Sequence, residues 1–377
     1  MAVLATKAVS APIKEEALWK YFMLHVVQWH WPHRIKKFDE TCLVVADQEF
    51  IDRLQKQGGT YNCSFKTQND LDKMDLTRIE KILVFLMCQE RETVARLKKS
   101  YPDKIISSGT YEFSVVDANR IPRMQLKRRA PSKAEKGPVV IVATPNSDAE
   151  YLVKTMEMNG LPAPWEYIGR PYISWMKLRG ELAFHPLVET AAKRYATDQG
   201  IAYLFHTDVL AALFDNTDFS LGAFVEWLQA QQARVILINR RDILMQAYIC
   251  GQFKNTHERS PWTLSRNRQL TFKNSSFNSL NVLEVLAHLR IGENILGDIA
   301  ARMTNVHSVV LEDMLEDIEG SIAAIANHIG ETPADVLATI EHESCIELMP
   351  NLIEVQREFK RQILDRLGIT ATDLLGG

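Results

Sequence analysis

Apolar runs alternate with amphipathic stretches along most of this chain. Short runs rich in β-branched or other apolar residues occur at 42–46, 81–87, 139–142, 201–205, 233–239 and 306–311. Segments with apolar residues at helical spacing follow them. Continuous apolar strands that alternate with helices are typical of a parallel sheet covered on both faces. The pattern therefore predicts an α/β fold.

The first part of the chain has the pattern of a small Rossmann-like α/β domain, which we place at 1–119. Helices are predicted at 12–30, 48–57, 76–80 and 90–102, and one or two strands at 103–116. No GxGxxG sequence follows either of the first two strands, so no dinucleotide is assigned. Asp47, at the end of the first strand, suits either a ribose contact or the N-cap of the next helix. The role of this domain stays open.

A basic linker is predicted at 120–136, followed by a second α/β domain at 137–377. The linker holds seven Lys or Arg against one Glu, with two prolines and no periodicity, which favours a solvated tether or a basic flap over an anion. Helices in the second domain are predicted near 187–197, 206–214, 222–232, 243–253 and 278–303, with two or three more at the end. Residues 257–270 have the pattern of a polar loop.

Composition narrows the classes of function. A net charge of −3 gives no reason to expect nucleic acid as a partner. The five cysteines are scattered without a CxxC pair, and His30 and His33 lack a nearby third ligand, so no metal site is predicted. No signal peptide and no apolar stretch of 18 residues are found, so we expect a cytoplasmic protein without a membrane span. A homo-oligomer is left open.

One unit, from Gly137 to Ile168, stands out as a candidate anion site. An apolar strand runs into the polar turn 144–148, and a helical pattern follows up to Asn159-Gly160. Backbone N–H groups and the dipole at a helix N-terminus can hold a phosphate or sulfate in such a unit.

Three segments of the second domain resemble the sulfotransferases, in particular the bacterial family typified by trehalose 2-sulfotransferase. They are the strand–turn–helix with Pro145 and Ser147, the turn Pro164-Trp165-Glu166-Tyr167, and Asn239-Arg240-Arg241-Asp242 followed by Gln246-Ala247. Weaker support comes from Leu311-Glu312-Asp313-Met314 and from Asn327-His328-Ile329-Gly330. The resemblance implies a P-loop-like sulfotransferase domain with a parallel sheet.

The resemblance also implies a reaction and a set of residues. The reaction transfers a sulfuryl group from 3′-phosphoadenosine 5′-phosphosulfate to a hydroxyl of a carbohydrate or other small molecule. The donor is expected to bind at the loop and at the two arginines, that is at Asn146, Ser147, Asp148, Ala149, Glu150, Arg240 and Arg241. Arg241 matches the ligand of the 3′-phosphate, and Glu166 matches the candidate catalytic base.

The loop also departs from the family pattern. Asn146 replaces a basic residue, Asp148 replaces glycine and Glu150 replaces a hydroxyl residue, while Ile249 and Leu311 replace Ser and Tyr. A carboxylate within about 4 Å of a phosphosulfate costs several kcal/mol unless Lys154, Arg170 or the linker compensates. Asp148 and Glu150 suit equally well the stabilisation of a helix N-terminus.

Several alternatives therefore stay open. Arg241 suits an ion pair with a neighbouring acid, and Glu166 suits an exposed or capping position. His206 and Asp208 fit either a base with its orienting acid or ordinary packing. The second hypothesis for function is a catalytically inactive, sulfotransferase-fold protein for binding or assembly. A glycosyl- or nucleotidyl-transferring enzyme is a third, without a DxD-like pair to support it.

Overall fold

The computed structural model describes residues 38–56, 60–71, 73–114, 137–164, 166, 176, 183–195, 201–215, 219–244, 246–247, 250, 279–333 and 361. The predicted helix at 12–30, the linker at 120–136 and the loop at 257–270 lie outside these residues. The chain divides into two compact units, each with its own parallel sheet. The predicted α/β class with parallel sheets is confirmed.

The first unit is built on four parallel strands in the order β2-β1-β3-β4. The elements, in chain order, are β1 (Cys42–Ala46), α1 (Gln48–Lys56), β2 (Ser64–Lys66), α2 (Gln68–Leu71), β3 (Lys81–Phe85), α3 (Glu90–Ser100), β4 (Ile105–Ser108) and α4 (Gly109–Ser114). The buried apolar strands β1 and β3 lie at its centre, as their sequences predict.

Two carboxylates tie together the carboxyl ends of these strands. Asp47, just after β1, accepts a hydrogen bond from the Met87 N–H at 2.6 Å. Glu90 is fully buried and accepts bonds from the N–H groups of Leu86 and Thr110 and from the hydroxyls of Ser108 and Thr110. The loops after β3 and β4 are therefore joined through one buried carboxylate.

Two local predictions for this unit fail for identifiable reasons. The helix expected at 76–80 is wrong: Asp75 instead accepts the Thr77 N–H at 2.9 Å and closes a turn that competes with a helix. Strand β2 is absent from the prediction because its three residues are largely exposed at the sheet edge. The region 103–116 holds one strand, and the residues after it form α4.

The second unit repeats this arrangement with the strand order β6-β5-β7-β8, again all parallel. Its elements are β5 (Val139–Ala143), α5 (Ala149–Met158), β6 (Ala202–His206), α7 (Thr207–Phe214), α8 (Leu221–Ala230), β7 (Arg234–Asn239), α9 (Ser279–Arg302), β8 (Val306–Val310), α10 (Leu311–Glu316) and α11 (Ile318–Ile329). Helix α6 (Phe184–Tyr195) groups with the first unit.

The central strand β5 has every residue buried, between β6 and β7. One buried core joins residues of β5 and β7 to helices α5, α10 and α11. Arg234, at the start of β7, donates to the Gly137 and Ile329 carbonyls and pairs with Glu331. The amino ends of β5 and β7 are thus fixed to the end of α11, while their carboxyl ends carry the polar loops.

Helix α9 packs closely at the carboxyl end of β5, and its two glycines offer a matched test. A Cβ added at Gly292 would lie 2.4 Å from Thr207 Oγ1 and 3.3 Å from Thr144 Cγ2, whereas one added at Gly297 meets nothing within 4 Å. We expect Gly292→Ala to destabilise the unit by about 1–3 kcal/mol through overpacking. Gly297→Ala should instead stabilise it by up to about 1 kcal/mol through helix propensity.

Hydrogen exchange of the β5 amides measures the stability of the second unit in both variants. Equal effects of the two substitutions would contradict the close contact between α9 and Thr207.

Candidate functional site

The candidate site lies where the second sheet changes the direction of its strand order. Strand β5 is followed along the chain by β6 on one side, and the chain then returns to form β7 on the other side. Ligands of open α/β sheets bind in the crevice outside the carboxyl ends of the strands at such a point. The predicted anion loop, 144–148, leaves β5 at this position.

The loop has an unusual backbone. Asn146 and Asp148 have left-handed φ angles of 55° and 56°, with the fully buried Ser147 between them. Asn and Asp tolerate this conformation better than most residues, although it is still less favourable than the right-handed region. Asn146 and Asp148 are therefore compatible with this tight turn.

Gln246 and Cys250 hold this turn in place. Gln246 is buried, and its amide nitrogen donates to Thr144 Oγ1 at 2.8 Å and to the Pro145 carbonyl at 2.7 Å. The Asn146 amide donates to Cys250 Sγ at 2.9 Å. Gln246, which belongs to the resemblance, therefore supports the loop although it lies 102 residues after Thr144.

A buried ion pair joins the loop to the end of β7. Arg240 Nη2 lies 2.5 Å from Asp148 Oδ2, and the two side chains are only 4% and 11% exposed. Asp148 occupies the N-cap position of α5, yet its side chain makes no capping bond. The carboxylate that the sequence places in the loop is therefore directed to Arg240.

Arg241 has a different environment from its neighbour. Its side chain is 62% exposed and forms an ion pair with Asp313, and its backbone N–H donates to Glu312 at 2.9 Å. Its predicted contact with a 3′-phosphate stays a prediction. The structure does bring Arg240, Asp148 and the rest of the loop together.

Glu166, the predicted base, lies beside a buried histidine. Its Oε2 is 4.0 Å from His206 Nε2, and the two side chains are 36% and 6% exposed. Asp208, which the sequence analysis considers as a partner of His206, lies in the first turn of α7, and the structure places Glu166 next to His206. The position of His206 is fixed by the end of β6, where it pairs in register with Ala143 of β5.

Glu150 lies close to this pair in the first turn of α5. Burial raises the pKa of its carboxyl above the ordinary value of 4.5; His206 lowers the pKa, and the Glu166 and Asp148 carboxylates raise it further. Because burial is the largest effect, the net shift is upward. Burial therefore makes Glu150 a weaker acid than an exposed glutamate.

This shift predicts a pH-dependent stability with a defined sign. A carboxyl whose pKa is raised on folding contributes stability that is present below the ordinary pKa of 4.5 and is lost as pH rises through the folded-state value. Glu150→Gln should therefore gain stability relative to the wild type as pH rises. Urea unfolding of both proteins across acidic and neutral pH checks this, with exposed Glu226→Gln as control. A difference that stays constant with pH would contradict the assignment.

Buried polar atoms without a hydrogen-bond partner mark the same region. Within the described part of the chain they include Ser147 Oγ, Arg240 Nε and Thr207 Oγ1. Such atoms are rare in folded proteins, because a buried donor without an acceptor costs about 1–3 kcal/mol. Their concentration around one loop indicates a place for a polar ligand or water.

The remaining predicted residues have simpler positions. Ala149 is buried as the first residue of α5, and Lys154 lies half-buried in the same helix. Leu311 is buried in the core rather than exposed at the site. Trp165, Tyr167, Arg170 and Ile249 lie outside the described residues.

No group of three or more His, Cys, Asp or Glu side chains among the described residues is arranged to hold a metal ion. Among the same residues, no helix combines the length and the apolar character needed to cross a bilayer.

Known proteins that are similar to this chain are found among solved structures. No protein-family model and no curated protein matches the chain. Among solved structures it is similar to a sulfotransferase from Alicyclobacillus acidocaldarius, with 12% identity and a TM-score of 0.29, over 63% of this chain and 98% of that one.

Proposed function

We propose that residues 144–150 are the donor loop of a sulfotransferase-type site. The donor would be 3′-phosphoadenosine 5′-phosphosulfate, and the acceptor a hydroxyl of a carbohydrate or other small molecule. The observation that supports this most directly is the loop itself. The loop has two left-handed residues, Gln246 donates to its Pro145 carbonyl, and it lies at the switch point of the sheet. Its buried Ser147 hydroxyl has no hydrogen-bond partner among the described residues.

The polar groups of the loop fit an oxyanion in part. The Ser147 hydroxyl, Arg240 Nε and the N-terminus of the ten-residue helix α5 are donors of the kind that bind phosphate or sulfate. Backbone strain that neighbouring contacts maintain is a frequent property of ligand sites. When bound, the donor supplies the sulfuryl group; this chain would position it and stabilise its charge.

Glu166 and His206 suit the proton transfer that this reaction needs. Glu166 is partly exposed and so accessible to an acceptor, while His206 lies buried 4.0 Å behind it. In the proposal Glu166 accepts the proton of the acceptor hydroxyl, and His206 orients the carboxylate. General-base catalysis of this kind contributes about 10²–10⁴-fold to a rate.

A second candidate is a non-catalytic binding or assembly protein of the same fold. The ion pair between Asp148 and Arg240 favours it, because the buried guanidinium of the site already has an anion beside it. Arg241 is likewise paired, with Asp313. The loop would then be a structural remnant.

Calorimetric titration with 3′-phosphoadenosine 5′-phosphate separates these candidates. We expect the wild type to bind, Arg240→Lys to lose most of the affinity, and Arg290→Ala, an exposed arginine of α9, to bind normally. Comparison with adenosine 5′-phosphate isolates the contribution of the 3′-phosphate. Arg241→Ala should weaken the binding of 3′-phosphoadenosine 5′-phosphate and leave that of adenosine 5′-phosphate unchanged. No binding at millimolar ligand would reject the donor site, and binding without transfer to any hydroxyl acceptor would favour the non-catalytic candidate.

A further inference from the structure

We propose that the Asp148 carboxylate is an internal occupant of an oxyanion site formed by Arg240 and the loop. In this view Asp148 stands where an oxygen of a phosphate or sulfate would lie, and an external oxyanion must displace it to bind. The inference rests on the proposed function in one respect only, the location of the site at the loop. It adds a residue that controls access to the site.

The side chain of Asp148 is in an unusual arrangement for its position. An Asp at the N-cap normally accepts a hydrogen bond from the N–H groups of the first helical turn. Here the side chain accepts no such bond, and Oδ2 lies 2.5 Å from Arg240 Nη2. The carboxylate therefore serves the arginine rather than the helix, as an anionic ligand would.

The backbone at Asp148 also indicates a specific role. Its φ of 56° lies in the left-handed region, where glycine has no steric cost and aspartate has some. Gln246 and Cys250 nevertheless hold the preceding residues in this turn. The loop thus keeps the conformation of an anion-binding turn while presenting its own anion.

Arg240 can still donate a hydrogen bond to a further oxyanion oxygen. Arg240 is 5% exposed, and within the described part of the chain its Nε–H has no acceptor, although Nη2 is paired. A guanidinium is suited to bidentate contact with an oxyanion, which uses two parallel N–H donors. The buried Ser147 hydroxyl, next to Asp148 in sequence, adds a second donor without a partner.

Removal of the charge at position 148 should therefore open the site to a free oxyanion. Asp148→Asn keeps the shape and tolerates the left-handed backbone, and Asp148→Gly removes the side chain at no backbone cost. We expect both variants to bind inorganic phosphate or sulfate at least tenfold more tightly than the wild type. Glu49→Gln, which removes the exposed carboxylate partner of Arg53 in the first unit, is the matched control and should leave phosphate binding unchanged.

Thermal unfolding in increasing phosphate provides the readout, because a ligand that binds only the folded form raises Tm. The Tm of the two Asp148 variants should rise with phosphate, and that of the double variant Asp148→Asn/Arg240→Gln should not. Potassium chloride at matched ionic strength controls for screening. If Asp148→Asn is unfolded at the assay temperature, phosphate should restore its folding.

The outcomes separate this proposal from the proposed function. An equal phosphate response in wild type and both Asp148 variants, or unfolded variants that phosphate cannot restore, would overturn the internal occupant. That result leaves nucleotide binding by the wild type unaffected. Conversely, a phosphate response that appears only without Asp148 supports the occupant even if 3′-phosphoadenosine 5′-phosphate fails to bind.

Discussion

Replacement of Arg240 with alanine is expected to destabilise the second unit by about 3–5 kcal/mol, the usual effect of leaving one partner of a buried ion pair uncompensated. The Asp148 carboxylate is 11% exposed, so water cannot replace the lost guanidinium well. Urea unfolding measures the effect without adding ionic denaturant, which would screen the pair. A loss below 1 kcal/mol would contradict the buried pair.

The neighbouring Arg241 is a matched control of the same residue type. Its pair with Asp313 is largely exposed, and exposed pairs contribute about 0–1 kcal/mol. The double variant Asp148→Ala/Arg240→Ala should lose less than the sum of the two single variants, because each single change leaves a buried charge alone. Strict additivity would show that the two residues do not interact.

Glu90→Ala in the first unit is expected to have a similarly large effect. The substitution removes a fully buried carboxylate that accepts hydrogen bonds from two backbone N–H groups and two hydroxyls. These donors lose their acceptor in a place that water does not reach, so we expect a loss of about 3–5 kcal/mol. Unfolding of this unit in urea, followed by exchange of the β3 amides, measures it.

Glu92 in the same helix provides the control for this substitution. Its side chain is exposed in the first turn of α3, so Glu92→Ala should change stability little. Glu90→Gln should also destabilise the unit, because each carboxylate oxygen accepts from a backbone N–H, and the amide nitrogen that replaces one oxygen cannot accept that bond. A Glu90→Gln variant that is as stable as the wild type would contradict the proposed network of hydrogen bonds to Glu90.

The central strands were predictable from sequence, as were the edge strands β6 and β8 of the second sheet, while the edge strand β2 was not. Strands β1, β3, β5 and β7 are continuous apolar runs because both faces of a parallel sheet are buried. Strand β2 forms through pairing with β1 and has only three, largely exposed residues, so its own sequence carries no such signal. The turn at 76–80 depends on one Asp–Thr contact that competes with a helical pattern.

The position of the candidate site was predictable from the sequence, but the ion pair between its charged side chains was not. The strand–turn–helix pattern indicated the loop, and its left-handed residues and its support by Gln246 agree with a ligand-binding turn. The sequence does not specify which of Arg240 and Arg241 turns inward, because the two follow directly after β7, where strand alternation ends. The partners Asp148 and Arg240 are 92 residues apart, and only the sheet topology brings them together.

The electrostatic environment of the loop differs from the one that its sequence implies. From sequence alone, Asp148 and Glu150 add two uncompensated charges to an anion site. In the structure Arg240 compensates the first, and burial raises the pKa of the second. What opposes a phosphosulfate at Arg240 is therefore the existing ion pair of this arginine with Asp148.

The central claim, that the loop at 144–150 is the ligand site of this protein, is tested most directly by amide NMR. In a deuterated, ¹⁵N-labelled sample, 3′-phosphoadenosine 5′-phosphate is predicted to shift the amide signals of Asn146, Ser147, Asp148 and Glu150. The shifts should be larger in Asp148→Asn, while the amide signals of α11 should not shift. Unchanged loop signals at millimolar ligand, in both the wild type and Asp148→Asn, would contradict the claim.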